Sequence, residues 1–186
     1  MSGKLYIMRH GTTPWNVLKK LQGRTNISLS EEGREMARRA ASEYKDVHFD
    51  ICYASPLDRA LETARLVLEG RDVPIYTDDR LLEMSFGEYE GLEPYDQALD
   101  CPIQVFFETP ELYTESVGGA ESLDQLFERT GSFLKEKAMP QLSEGKDILI
   151  VGHGAMNCSI VCQIMNLSRD LFWSKGIENC KLMQLI

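Results

Sequence analysis

The chain has 186 residues, of which 43% are hydrophobic and 26% charged, an ordinary globular composition long enough for one domain with a substantial core. Its 20 basic and 29 acidic residues give a net charge of −9, which argues against a broad nucleic-acid or anionic-membrane surface but allows a local arginine pocket. No run of about 18 apolar residues could cross a membrane, and MSGKLYIMRHG has too short an apolar stretch for a secretory core. The five cysteines (Cys52, Cys101, Cys158, Cys162, Cys180) fall mostly in apolar segments, as expected of buried free thiols in a cytoplasmic protein.

In chain order, KLYIMRH reads as a short buried strand that ends at Arg9, His10 and Gly11. SEEGREMARRAASEYKD (30–46) has helical spacing, with Ser30 as N-cap and acidic residues in the first turn; Arg38 and Arg39 fall on its solvated side. FDICYAS (49–55) is a second strand. PLDRALETARLVLEG follows as a helix, with Pro56 in the first turn and Gly70 at its end. VPIYTD is a third strand. Residues 84–118 are aromatic-rich and acidic, contain Pro94, Pro102 and Pro110, and lack clean periodicity. A helix is expected over about 121–138, interrupted by Gly131; DILIVGHG is a buried strand, AMNCSIVCQIMN an apolar helix and CKLMQLI a last strand.

Strands alternating with helices predict an α/β fold with a mostly parallel central sheet, in a single domain over 1–186 with a small cap insertion at about 84–118. Ligands of such folds bind at the carboxyl ends of the strands. His10 ends the first strand, His153 ends DILIV, and Arg59 lies in the first turn after FDICYAS, so three strands deliver polar side chains to one edge. His48 precedes a strand at the opposite edge and reads as a surface residue.

GHGAMN (152–157) is not a dinucleotide fingerprint, because Asn157 replaces the third glycine and too little chain follows. Gly152 and Gly154 instead let a ligand approach His153 and the adjoining helix N-terminus. CYASPLDR places six residues between Cys52 and Arg59 where a cysteine phosphatase loop needs five. No nucleophile elbow, P-loop or HExxH is present, Cys158 and Cys162 suit a buried helix, and neither metal nor cofactor is expected. What remains has a chemical reading. A phosphomonoester needs fixed cationic donors, which Arg9 and Arg59 supply. Neutral imidazole is a good nucleophile near pH 7, so His10 could form a phosphohistidine. A carboxylic acid such as Glu83, with Glu88 and Glu90 close by, could protonate the leaving alkoxide.

RHGTTPWN, LQGRTNISLSEEG, SPLDRALETA, LLEMSFGEYEG, GAES and VGHGA occur in this order from residue 5 to about 157. Together they resemble the histidine phosphatase superfamily, which also contains the cofactor-dependent phosphoglycerate mutases. The resemblance implies a three-layer α/β/α sandwich. It also implies His10 as the phosphorylated nucleophile, Arg9, Arg59 and His153 as the phosphate pocket, and Glu83 as the acid that later activates water. Asn16, Gln22 and Gly23 match positions near the pocket rim, with Gly154 beside His153, and Thr13 either binds substrate or supports the loop.

MSFGEYEG after Glu83 resembles the phosphatase branch, and the chain is shorter than the mutases. A metal-independent phosphomonoester hydrolase is therefore expected. Mutase-type transfer and a non-catalytic phospho-ligand-binding relative are the alternatives. The partner is a small phosphorylated metabolite of sugar phosphate, phosphoglycerate or α-ribazole phosphate type, and oligomeric state is not legible. Phe86, Tyr89, Tyr95, Phe106, Phe107 and Tyr113 are candidate contacts for the leaving group. Glu88, Glu90, Glu93 and Asp96 are expected to disfavour a second, distal negative charge.

Overall fold

Strand β1 (Leu5–Arg9) sends Leu5 and Ile7 to one face and Tyr6 and Met8 to the other, and all four are buried. A strand apolar on both faces needs cover on both. The computed structural model, which describes residues 2–93 and 101–186, supplies that cover. β1 joins β2 (Ile51–Ala54), β3 (Ile75–Thr77), β4 (Ile148–Gly152) and β5 (Leu182–Gln184) in one sheet of order β3-β2-β4-β1-β5. The first four are parallel to one another, and β5 runs antiparallel to β1 at the edge.

The helices are α1 (Pro14–Val17), α2 (Glu31–Glu43), α3 (Asp58–Val67), α4 (Gln104–Glu108), α5 (Leu123–Phe133), α6 (Met139–Ser143) and α7 (Gly154–Met165). On one face of the sheet Tyr6, Met8, Cys52, Ala54, Leu149 and Val151 pack against Ala37 and Ala40 of α2 and Ala64 and Val67 of α3. On the other, Leu5, Ile7, Tyr53 and Ile150 meet Leu126 and Phe133 of α5 and Ile160 of α7. The result is the expected three-layer α/β/α arrangement, with all five cysteines free and buried. In 84–118 the described parts include α4 and short turns at Gly87–Tyr89 and Pro110–Leu112, and their Phe106 and Tyr113 enter the same core as α5. Pro94, Tyr95 and Asp96 lie outside the described residues.

Two elements differ from expectation. α1 was not predicted, because four residues carry no periodicity. It forms through a local capping box in which Thr13 Oγ1 accepts from the Asn16 amide while Asn16 Oδ1 accepts from the Thr13 amide. The helix expected to be interrupted by Gly131 is not. α5 starts after Ser122, runs through Gly131, and continues by a π-helical turn (Leu134–Ala138) into α6. Gly131 faces α7, where a Cβ would meet only the end of the Gln163 side chain, 2.5 Å away at Oε1.

Candidate active site

β1 and β4 are parallel neighbours with Arg9 level with Gly152, so the residues that follow, His10 and His153, leave the sheet side by side. The His10 amide donates to Gly152 O at 3.0 Å, and the two imidazole centroids are 5.2 Å apart. His10 Nδ1 lies 2.7 Å from Gly11 O. A carbonyl can only accept, so Nδ1 carries the hydrogen and Nε2 of the neutral ring keeps its lone pair. Burial, followed by the positive charges of Arg59 and Arg9, holds the His10 pKa well below 6.5. His153 is lowered in the same way, by burial first and then by Arg59, His10 and Arg9.

Arg59 follows β2 in the first turn of α3 and is fully buried. Its Nη1 and Nη2 donate to Thr25 O at 2.9 Å and Gly23 O at 2.7 Å. Burial brings its pKa down to about 10, which leaves it cationic at neutral pH. One turn on, Thr63 Oγ1 accepts from the Gly11 amide at 3.0 Å and donates to Arg59 O at 2.6 Å, tying the loop after His10 to α3. The carbonyls that hold Arg59 are themselves fixed by Glu90, whose carboxylate accepts from the Arg24 and Thr25 amides and from the Thr25 hydroxyl. Glu90 thereby braces the loop that holds Arg59, and unlike Glu83 it does not line the cavity described below.

Glu83 reaches the N-terminus of α7. Oε1 accepts from the Met84 amide at 2.9 Å and the Met156 amide at 3.0 Å, and Oε2 accepts from the Ala155 amide at 3.2 Å. Its backbone is clamped from behind by Arg129, which donates to Arg80 O (2.7 Å), Leu82 O (2.8 Å) and Glu83 O (3.2 Å) and pairs with buried Glu121 at 2.6 Å. The ideal Cβ position at Gly154 is 3.6 Å from Glu83 Oε2 and 3.7 Å from Arg9 Cζ, so the carboxylate and the guanidinium both border this glycine.

Arg9 Nε, Arg59 Nε and both ring nitrogens of His153 are buried with no hydrogen-bond partner among the described residues. Leaving a buried donor unsatisfied costs about 1–3 kcal/mol, and an anion with several acceptor oxygens beside His10 would take the two arginine N–H groups and the single N–H of neutral His153.

A cavity of about 290 Å³ opens here. Arg9, His10, Arg59 and Glu83 line it, as do the predicted Asn16, Gln22, Gly23 and Gly154. Thr13 and His153 are fully buried and do not reach its wall. Thr13 takes the supporting role, its hydroxyl bonding Gln22 Oε1 at 2.8 Å and Asn16 Oδ1 at 3.1 Å. Of the candidate rings, Phe86 and Phe107 line the cavity, while Tyr89, Phe106 and Tyr113 pack in or against the core.

Of the acidic residues expected near the substrate, Glu88, Glu90 and Glu93 do not line the cavity: Glu88 packs against Gly118 and Glu90 accepts from backbone amides, while Asp96 lies outside the described residues. Lys19 and Lys20 line the cavity, with Trp15 and Trp173; Trp15 stands within RHGTTPWN, and no sequence signal had marked the other three. Also missed were Arg129 and Asn179, whose Nδ2 donates to His10 O at 2.6 Å. Thr63 stands within SPLDRALETA, so its motif was visible although its bond to Gly11 was not.

The sequence model of the histidine phosphatase superfamily (branch 1) matches residues 5–186. A 2,3-bisphosphoglycerate-dependent phosphoglycerate mutase of Cytophaga hutchinsonii is 32% identical over 168 residues, covering 89% of this chain and 79% of that protein. Among solved structures, YhfR of Bacillus stearothermophilus is 31% identical with a TM-score of 0.87, over 98% of this chain and 90% of that one. A phosphoserine phosphatase of Entamoeba histolytica, solved in complex with 3-phosphoglyceric acid, is 28% identical with a TM-score of 0.81, over 98% and 89%.

Proposed function

The chain belongs to branch 1 of the histidine phosphatase superfamily, and from that premise we propose that it hydrolyses small phosphomonoesters through a phosphohistidine on His10. The observation that carries the mechanism is the bond from His10 Nδ1 to Gly11 O, which leaves Nε2 with its lone pair on a ring that lines the same cavity as Arg9 and Arg59. Nε2 attacks phosphorus as the ester P–O bond breaks, and Glu83 passes a proton to the leaving oxygen. Glu83 then takes a proton from water, whose oxygen attacks phosphorus, releasing phosphate and restoring the imidazole. Arg9 and Arg59 stabilise the charge on the transferring group, with His153 packed beside the His10 ring behind the cavity wall, so the step asks for no metal. Asn16, Gln22, Gly23 and Gly154 surround the ester.

The cavity, at about 290 Å³, sits at the small end of the range of ligand sites, roughly 300–1,000 Å³, which supports a small metabolite as substrate. Residues 1–186 act as one domain, with 84–118 as a cap whose Phe86 and Phe107 meet the leaving group. A cytoplasmic location fits the buried free thiols, and among the described residues no helix is long and apolar enough to cross a membrane.

The mutase relative keeps a second reading in view, in which the phosphoryl group returns to an organic acceptor rather than to water. Phosphate release from a panel of phosphomonoesters in EDTA, comparing wild type with His10→Ala, tests the proposal. Release by wild type alone is expected. Phosphoryl transfer between esters without free phosphate would establish the mutase, and equal release by both proteins would remove His10 from its role.

A further inference from the structure

After α1 the chain turns back through Lys19, whose φ of 53° lies in the left-handed region, and Lys20. The turn is pinned: the Lys19 amide donates to Asn16 O, the Lys20 amide to Trp15 O and the Leu21 amide to Leu92 O. Both lysines line the cavity that holds His10, and the Lys20 ammonium lies 5.9 Å from the Trp15 ring centre, within cation–π reach. Neither has a carboxylate at ion-pair distance among the described residues. Arg24 and Arg129, by contrast, are matched to Glu121, and Arg80 to Asp78 and Glu136.

The charges lining the cavity are therefore unequal in a chain that is acidic overall. Arg9, Arg59, Lys19 and Lys20 face one described carboxylate, Glu83, which is bonded by three backbone amides. With Glu83 carrying the proton that it passes to the leaving oxygen, a phosphate dianion still leaves positive charge in the cavity. A carboxylate offsets part of it, and the small cavity places such a group a few atoms from phosphorus.

Resting on the hydrolase reading above, we propose that Lys19 and Lys20 bind a carboxylate on the leaving-group side, so that the substrates are phosphomonoesters of small hydroxy acids. Lys20 is held by the face of Trp15. Lys19 sits in a backbone conformation that glycine would adopt more easily, on the wall of the same cavity.

Matched esters test this. 3-Phosphoglycerate differs from glycerol 3-phosphate, and O-phosphoserine from O-phosphoethanolamine, in a carboxylate. The wild type is expected to favour the carboxylate member of each pair in kcat/KM. That ratio should fall about tenfold in Lys19→Gly/Lys20→Gln, the loss of a charge-assisted contact, and shrink with added salt. Lys20→Arg should retain it. Lys19→Gly relieves the left-handed lysine, so an unchanged or higher melting temperature is expected and a lost ratio would not reflect unfolding. Hydrolysis of all four esters with no preference, or a preference intact in the double variant, overturns the lysine assignment and leaves the hydrolase standing. Absence of phosphate release from every ester overturns the hydrolase reading and this one with it.

Discussion

A histidine that must attack phosphorus is useless when protonated, and the surroundings of His10 work against that state. Burial, Arg59 and Arg9 all push its pKa below 6.5, and only the Gly11 carbonyl pulls the other way. The rate rises as His10 loses its proton, so the acid limb of kcat/KM should have its midpoint below 6.5 once the substrate's own ionisation near 6 is corrected for. A midpoint at or above 6.5 would contradict the environment described. Glu83 carries a separate test. Glu83→Gln keeps the shape and loses the transferable proton, so kcat for an alkyl phosphate should fall about 10²–10⁴-fold. 4-Nitrophenyl phosphate, whose leaving group needs no proton, should suffer far less; an equal fall for both would move the acid elsewhere.

At the scale of elements, the decisive contact joins the end of β1 to the start of α2. A Cβ at Gly33 would stand 2.1 Å from Thr12 O, and one at Gly11 would stand 2.4 Å from Gly33 O. Gly→Ala inside a helix ordinarily stabilises by up to about 1 kcal/mol. Gly33→Ala should do the reverse, costing more than about 2 kcal/mol because backbone cannot step aside as a side chain can, and a urea midpoint at or above wild type would refute this. Much of this level was legible. LYIMR and ILIVG are apolar at every position but the last, and the histidines beyond them mark a strand-end site. Roles defined by distant backbone carbonyls were not legible: Arg129 gripping Leu82 O, Asn179 gripping His10 O, Glu90 fixing the carbonyls beneath Arg59. Such bonds depend on which loops the fold brings together, and arginine, asparagine and glutamate on a surface stretch look the same whether or not that happens. Gly131 misled for a related reason, since its neighbour Gln163 belongs to another helix.

For the molecule as a whole, two neutral histidines buried at its centre make stability depend on pH. Both are lowered in the fold relative to 6.5, so the unfolded chain takes up protons first as pH falls. Their stabilisation is fully present above about 6.5 and is lost as pH drops toward the depressed native values, at a limiting slope of about 1.4 kcal/mol per pH unit for each. Urea midpoints measured between about pH 7.5 and 5.5 should fall for wild type and flatten for His10→Asn/His153→Asn, in a window above the carboxylate range. Equal slopes would place the acid sensitivity elsewhere. The order of the sheet has a different consequence, one of time. β1 is translated before every other strand, yet its two neighbours, β4 and β5, are translated last. At about 5–20 residues per second, a ribosome takes roughly 7–28 seconds to travel from β1 to β4. Throughout that interval only β2 and β3 can pair, and LYIMR leaves the exit tunnel as an apolar segment without a partner. The nucleophile is thus among the first parts of the protein to be made and among the last to be put in place.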